Sequence, residues 1–327
     1  MKRRIFVGGA AAAALAAPVI ARAQGNRKLN IAVIIKATDS DFWQYLLVGA
    51  NNYAKEHPNI AMTSYGPASE SDVDQQVAIL ENVISRRPDG ILIAPSSSDA
   101  PAPAIAKAMS QGIPVITADN RVNGAKVAAH LATDNLKAGG LAAEQLVTAI
   151  KAAGRQPRGK IALISAYAGV EVLTRRDQGF TTRLAEIAPD LKILPPRYTN
   201  NDIQQAMSSM SDLILANSDM TGVFADNNHT GNGVALAIRD AKKIGTIPAV
   251  AFDSDPEEVN ALGAGVLNAL VVQDPYAMGY KGLDYVVRAI NHETLPDYTD
   301  TGAYAVTKAN MNEPKMKGLL NPLTLKT

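Results

Sequence analysis

Gly90-Ile-Leu-Ile-Ala-Pro95 and Gly112-Ile-Pro-Val-Ile-Thr-Ala-Asp119 are short aliphatic runs separated by an amphipathic stretch. Each is too short for a helix and shows no polar alternation, which suits a strand buried on both faces of a parallel sheet. The pattern returns as Gly222-Val-Phe-Ala-Asp226, a helical stretch, then Thr246-Ile-Pro-Ala-Val-Ala-Phe-Asp253. From the glycine to the final aspartate the intervals are 29 and 31 positions. Working outward, predicted strands fall at 31–35, 90–94, 115–118, 161–164, 223–225, 249–252 and 269–272. Amphipathic segments lie between them. The one after Ser71 sets Val73, Val77, Leu80, Val83 and Ile84 on one stripe and is closed by Pro88. Alternation of this kind predicts a doubly wound α/β fold, and its recurrence supports two similar doubly wound parallel-sheet lobes.

Polar residues collect where such a fold binds ligands. Lys36, Asp119-Asn120, Ser165, Asp226-Asn227, Asp253 and Gln273-Asp274 each follow the carboxyl end of a predicted strand. Asp and Asn at these places also cap helices, and that is the reading for Asp134-Asn135. Asp119 and Asp253 are stronger site candidates, because each ends an apolar strand that opens with Ile-Pro.

Length, 327 residues, suits two domains with separate cores. Residues 1–23 read as a signal peptide: Lys2, Arg3 and Arg4, an apolar body, then Ala21-Arg22-Ala23, with Gln24 as the mature N-terminus. Arg3-Arg4-Ile5-Phe6-Val7 is similar to a twin-arginine signal, whose route carries folded proteins; an ordinary Sec signal is the alternative. A periplasmic location follows from either. The chain has no cysteine, so it has no disulfide, no thiol nucleophile and no lipid attachment point of the lipoprotein kind. Removing the signal's four basic residues turns a formal charge of +1 into −3, and no basic run gives a case for nucleic acid.

Catalytic and cofactor motifs are missing. Gly231-Asn-Gly233 and Gly263-Ala-Gly265 lack the third glycine of a dinucleotide loop and do not follow the first strand. There is no P-loop and no G-x-S-x-G elbow. His57, His130, His229 and His292 lack metal-site spacing and read as surface or packing residues. No catalytic constellation, metal or cofactor is expected.

Over almost its whole mature length the chain resembles the periplasmic sugar-binding proteins of ABC importers, ribose-binding type. The segments that carry the resemblance begin with Ile31-Ala-Val-Ile-Ile-Lys36, Asp41-Phe42-Trp43, Pro88-Asp-Gly-Ile-Leu-Ile-Ala-Pro95 and Gly112–Asp119. They continue through His130-Leu-Ala-Thr-Asp-Asn135, Arg176-Asp-Gln-Gly-Phe180, Val223-Phe-Ala-Asp-Asn227, Phe252-Asp253 and Gln273. Their order and spacing together are specific.

The resemblance implies lobes of 27–133 plus 274–300 and 134–273 plus 301–327, joined by a hinge, with a monosaccharide or polyol held in the ligand cleft between them. Phe42 and Trp43 would lie against apolar C–H faces, with core packing of the following helix as the alternative. Asp119, Arg176, Asn227, Asp253 and Gln273 would hold the hydroxyl rim. Arg176 is expected to be open to water in the empty cleft, and Arg175 to be a solvated surface charge.

Two departures bear on specificity. Asn120 stands where the ribose-type pattern has arginine, with Arg121 one place late. Lys36 replaces a small hydroxyl residue, as in arabinose-binding relatives. Lys36 and Arg176 could suit an acidic sugar, a different aldose or, with carboxylates beside them, a neutral ligand. The implied partner is an inner-membrane ABC permease, reached by hinge closure of a monomer. Presentation to a chemoreceptor or sensor kinase is the alternative, and an exported sugar-modifying enzyme a third.

Overall fold

The structure is a computed structural model that describes residues 27–325; the signal expected over 1–23 lies outside the described residues. Two separate sheets form. The first contains β1 (Leu29–Ile34), β2 (Ile60–Tyr65), β3 (Gly90–Ile93), β4 (Val115–Ala118), β5 (Ala129–Ala132) and β12 (Tyr298–Asp300), in the order β12-β5-β4-β3-β1-β2, all parallel. The second contains β6 (Gly159–Ser165), β7 (Leu191–Ile193), β9 (Met220–Ala225), β10 (Ala249–Phe252), β11 (Ala269–Gln273) and β13 (Ala303–Thr307), in the order β13-β11-β10-β9-β6-β7. Its short β8 (Arg197–Tyr198) also pairs with β6, and β13 alone runs antiparallel, against β11.

The apolar runs become strands because both of their faces are covered. In the first sheet Val33, Leu92 and Ile116 pack under α1 (Asp41–Glu56) and α9 (Pro275–Ile290). Ile34, Ile91, Ile93 and Val115 face the other way, onto α2 (Val73–Ser85) and α3 (Ala102–Ser110). The second sheet repeats this. Leu163, Phe224, Val250 and Phe252 lie under α4 (Asn135–Ala152) and α5 (Glu171–Ile187). Ala162, Ile164, Val223 and Leu270 meet α6 (Ile203–Ala216), α7 (Asn228–Asp240), α8 (Pro256–Gly263) and α10 (Pro314–Leu320). All seven predicted strands form. The edge strand β2 gave no signal because its residues are mostly half-buried or exposed and mixed in polarity. In β5, His130 interrupts the apolar run, although Thr117 partners it at 3.0 Å and burial drives its pKa down to about 4.

The chain passes between the sheets after β5, after β11 and after β12. Hydrogen bonds tie the first and third passages together: Thr133 Oγ1 donates to Gly302 O at 3.2 Å, and Asp134 N to Asp300 Oδ1 at 3.1 Å. The Gly-to-Asp echo is real in three dimensions. Asp119 and Asp253 both take left-handed backbone angles, φ 65° and 75°. Each sends its N–H to the next strand, to Leu131 O and Val271 O at 2.9 and 2.8 Å. Aspartate tolerates this region better than most side chains, which explains the residue at both strand ends.

Each lobe also contains one helix pair in backbone contact. In α4 and α5, a Cβ on Gly139 would lie 2.0 Å from Arg176 O, and one on Gly179 would lie 2.0 Å from Leu136 O. In α1 and α9, Gly49 and Gly279 play the same reciprocal part against Tyr276 O and Leu46 O, at 2.0 and 1.9 Å. Gly139→Ala should therefore force α4 and α5 apart and cost about 1–3 kcal/mol, read as a lower urea midpoint. The adjacent Gly140, where a Cβ would meet the Arg183 side chain at 3.5 Å and Gly179 O at 3.9 Å, both ordinary contacts, is the control. Gly140→Ala should be neutral or gain up to about 1 kcal/mol of helix propensity. Equal effects at the two positions would contradict the close crossing.

Candidate functional site

The carboxyl ends of β1, β4, β6, β9, β10 and β11 converge on a cavity between the lobes. Eight of the nine site residues expected from the sequence line it: Lys36, Phe42, Trp43, Asp119, Arg176, Asn227, Asp253 and Gln273. The ninth, Asn120, does not. Its Nδ2 donates to Pro95 O at 3.0 Å, so it fastens one loop to the next beneath the cavity. Arg121 also turns away, its guanidinium 5.0 Å from the Tyr298 ring. The donor beside Asp119 is instead Lys36, whose Nζ lies 2.5 Å from Asp119 Oδ2. This pair is almost wholly shielded from solvent.

Phe42 and Trp43 occupy the first turn of α1 and meet edge to face, centroids 4.7 Å apart. Both belong to the packed core of the first lobe and also line the cavity. The indole N–H of Trp43 donates to Glu70 Oε1 at 2.6 Å, and Lys36 Nζ sits 5.2 Å from the Trp43 ring.

On the second lobe Arg176 is 2% exposed. The expectation that this arginine stands open to water is wrong, because its guanidinium is built into the lobe. Nε and Nη2 both donate to Asn135 Oδ1, at 3.2 and 3.0 Å, Nη1 donates to Asp226 O, and the planar group lies 3.5 Å from the Phe252 ring. Asp253 Oδ2 is 3.8 Å away, and Asp253 Oδ1 accepts from Gln273 Nε2 at 2.7 Å. Gln273 Oε1 is buried without a partner among the described residues. Arg175, one position earlier, is exposed as expected.

Close crossing of α4 and α5 explains the Arg176 geometry. The contact at Gly139 brings the α5 backbone at Arg176 against α4, one turn from Asn135. Asp134 is the helix cap expected from the sequence, accepting from Lys137 N at 3.2 Å. Asn135 is more than a cap residue: it is buried and supplies the acceptor for two guanidinium donors. Asn227 likewise serves two purposes. It closes a capping box with Thr230, gives Nδ2 to Asn201 Oδ1 at 2.6 Å, and still lines the cavity.

Behind Arg176 lie two more carboxyls. Asp226 accepts from Ser165 Oγ at 2.5 Å and Ala166 N at 3.0 Å. Burial raises its pKa to about 6 despite those donors and Arg176. Burial and the nearby Asp226 push Asp177 up to about 8. Asp253 is also raised by burial to about 6, with Arg176 and Gln273 opposing. Glu70 and Tyr167, which line the cavity, and Asn135, which holds Arg176 from behind it, are among the residues that sequence reading did not place at the site. Glu70 and Tyr167 come from loops without apolar periodicity, and Asn135 was hidden behind its capping signature. Among the described residues no group of three or more His, Asp or Glu is arranged to hold a metal, and no helix is long and apolar enough to cross a membrane.

Residues 31–294 match the periplasmic binding protein domain family, and the chain belongs to that family. It is 28% identical over 284 residues to the ribose import binding protein RbsB of Escherichia coli, covering 87% of this chain and 92% of that protein. A carbohydrate transporter solute-binding protein from Agrobacterium radiobacter, solved with D-arabinose, superposes with a TM-score of 0.85 at 34% identity, covering 90% of this chain and 99% of that one. An ABC transporter solute-binding protein from Agrobacterium vitis with bound D-fucose gives 0.83 at 36% identity, covering 89% and 100%.

Removing Arg176 should damage the empty protein as well as any ligand grip. Arg176→Ala strands Asn135 Oδ1, Asp226 O and the Asp253 carboxylate in a dry interior, a loss of about 3–5 kcal/mol of folding stability. Arg175→Ala should stay within about 0.5 kcal/mol of the parent. Urea melts of the two variants decide this: an Arg176→Ala midpoint equal to that of Arg175→Ala would mean the guanidinium is not part of the folded framework.

Proposed function

We propose that this protein captures a monosaccharide or polyol in the cavity between its lobes and delivers it to an inner-membrane ABC permease. The observation that carries the proposal is the composition of the cavity wall: an apolar aromatic pair, Phe42 and Trp43, faces fixed polar groups that include Gln273 Oε1, a buried acceptor without a partner. A sugar presents the matching surfaces, apolar C–H faces and a rim of hydroxyl donors. The likeness to proteins solved with D-arabinose and D-fucose supports the same class. With Asn120 and Arg121 both turned away and Lys36 standing beside Asp119, a sugar other than ribose fits the wall better.

Capture proceeds by closure of the lobes 27–133 plus 274–300 and 134–273 plus 301–327 about the three chain passages. The closed form then presents the surface that the permease reads. The chain acts as a binding protein and not an enzyme, as a monomer in the periplasm.

A thermal-shift panel of D-ribose, D-allose, D-arabinose, D-fucose and xylitol tests this. At about 100 times its Kd a ligand adds about 2.7 kcal/mol of stability, and Trp43 emission should shift on saturation. A panel that moves neither the melting temperature nor the emission would defeat the proposal.

Export through the twin-arginine route is part of the same reading, supported by Arg3-Arg4 in the signal. Replacing both by lysine should leave precursor in the cytoplasm. Normal export of that variant would favour Sec.

A further inference from the structure

The charges around the cavity do not balance, and the imbalance has a direction. Five charged residues line it: Lys36, Arg176, Asp119, Asp253 and Glu70. Each cation already has a carboxylate, Lys36 with Asp119 at 2.5 Å and Arg176 with Asp253 at 3.8 Å. Glu70 has no ion pair among the described residues; its single hydrogen bond is the 2.6 Å contact from the Trp43 indole N–H, a neutral donor. Behind Arg176, outside the cavity wall, Asp226 adds to the negative side, whereas Asp177, raised to about 8 by burial and by Asp226, is mostly protonated at neutral pH. The wall therefore carries one carboxylate more than its cations neutralise: the two ion pairs are withdrawn from water, and the unpaired Glu70 is half-buried.

That arrangement suits hydroxyl groups, which donate to carboxylates at no net charge. It opposes a second anion, which would lose its hydration and find no free cation, in surroundings where like-charge repulsion is stronger than in water. We propose that the site excludes sugars bearing a carboxylate or phosphate, and that Glu70 is the residue that sets this specificity. The inference rests on the sugar-binding reading above. It answers the question left by Lys36 and Arg176, whose positive charges in sequence alone could have served an acidic sugar.

Glu70 could instead be present only to hold Trp43 in place. Glu70→Gln separates the two roles, because a glutamine Oε1 can accept the same indole N–H while the charge is gone. Calorimetry at pH 7.5 would compare neutral sugars with their own acids: D-galactose with D-galacturonate, D-glucose with D-glucuronate, D-arabinose with D-arabinonate and D-ribose with D-ribonate. In the parent protein, whichever neutral sugar binds should exceed its acid by about thirtyfold or more, as uncompensated charge in a low-dielectric site implies. Glu70→Gln should leave the Trp43 emission unchanged and, whatever it does to the neutral affinity itself, narrow the neutral-to-acid ratio by about tenfold.

An acid that binds the parent as tightly as its neutral partner overturns the exclusion. An acid rejected equally by parent and variant overturns the role of Glu70 while leaving exclusion to the remaining wall. Failure of these neutral sugars and of the earlier panel alike removes the sugar-binding reading and this inference with it, a result distinct from either of the others.

Discussion

A guanidinium that is 2% exposed must be neutralised and hydrogen-bonded in place, and the second lobe is organised around meeting that demand for Arg176. Asp253 supplies countercharge, Asn135 and the carbonyl of Asp226 accept its N–H groups, and the Phe252 ring covers one face. These partners come from the strand ends of β9 and β10 and from the first residue of α4. Their meeting depends on α5 lying in backbone contact with α4, which only glycine at 139 and 179 allows. A packing constraint in the helix layer thus fixes the position of a polar group at the cavity.

The first lobe reaches a similar result with different residues. Its cation is Lys36, from the segment after β1, and its carboxylate is Asp119, in the same left-handed position after β4 that Asp253 holds after β10. Each lobe therefore brings one cation–carboxylate pair to the common cavity. The two pairs differ in kind. An ammonium on a flexible stem forms a single contact, whereas the guanidinium is held through several donors in one plane. The second lobe accordingly fixes its cation through more contacts than the first. The first gains its definition from aromatic packing, with Trp43 held between the Glu70 carboxylate and the Lys36 ammonium.

The strands and the two aspartates were legible because the physics that places them is local and periodic. A run such as Gly90-Ile-Leu-Ile-Ala can be stable only with both faces covered, and an aspartate at the end of each repeated strand marks the same backbone turn twice. Asn120 was misread because the sequence places it beside Asp119, and only the backbone turn at φ 65° reveals that its side chain leaves in another direction. The environment of Arg176 was misread for a related reason. Its burial arises from residues 41 positions before it and 50 and 77 after it, contacts that no periodicity encodes. Glu70 was silent because a loop residue receives its role from what the fold carries past it.

Pairing the cations in advance also determines how the cavity can act on a neutral ligand. A free lysine or arginine would be satisfied best by an anion, and a hydroxyl would be a poor substitute. Once Lys36 and Arg176 are held by Asp119 and Asp253, their remaining N–H donors and the carboxylates' remaining lone pairs stand at fixed positions with little net field from each pair. Such groups read the arrangement of hydroxyls more than total charge, since each misplaced hydroxyl leaves a buried donor or acceptor unmade. The desolvation cost of the charges is then carried by folding, through the same contacts that hold Arg176 in the empty protein. If these groups read the ligand as proposed, selectivity among neutral ligands and stability of the second lobe share one set of interactions, and a change there alters both.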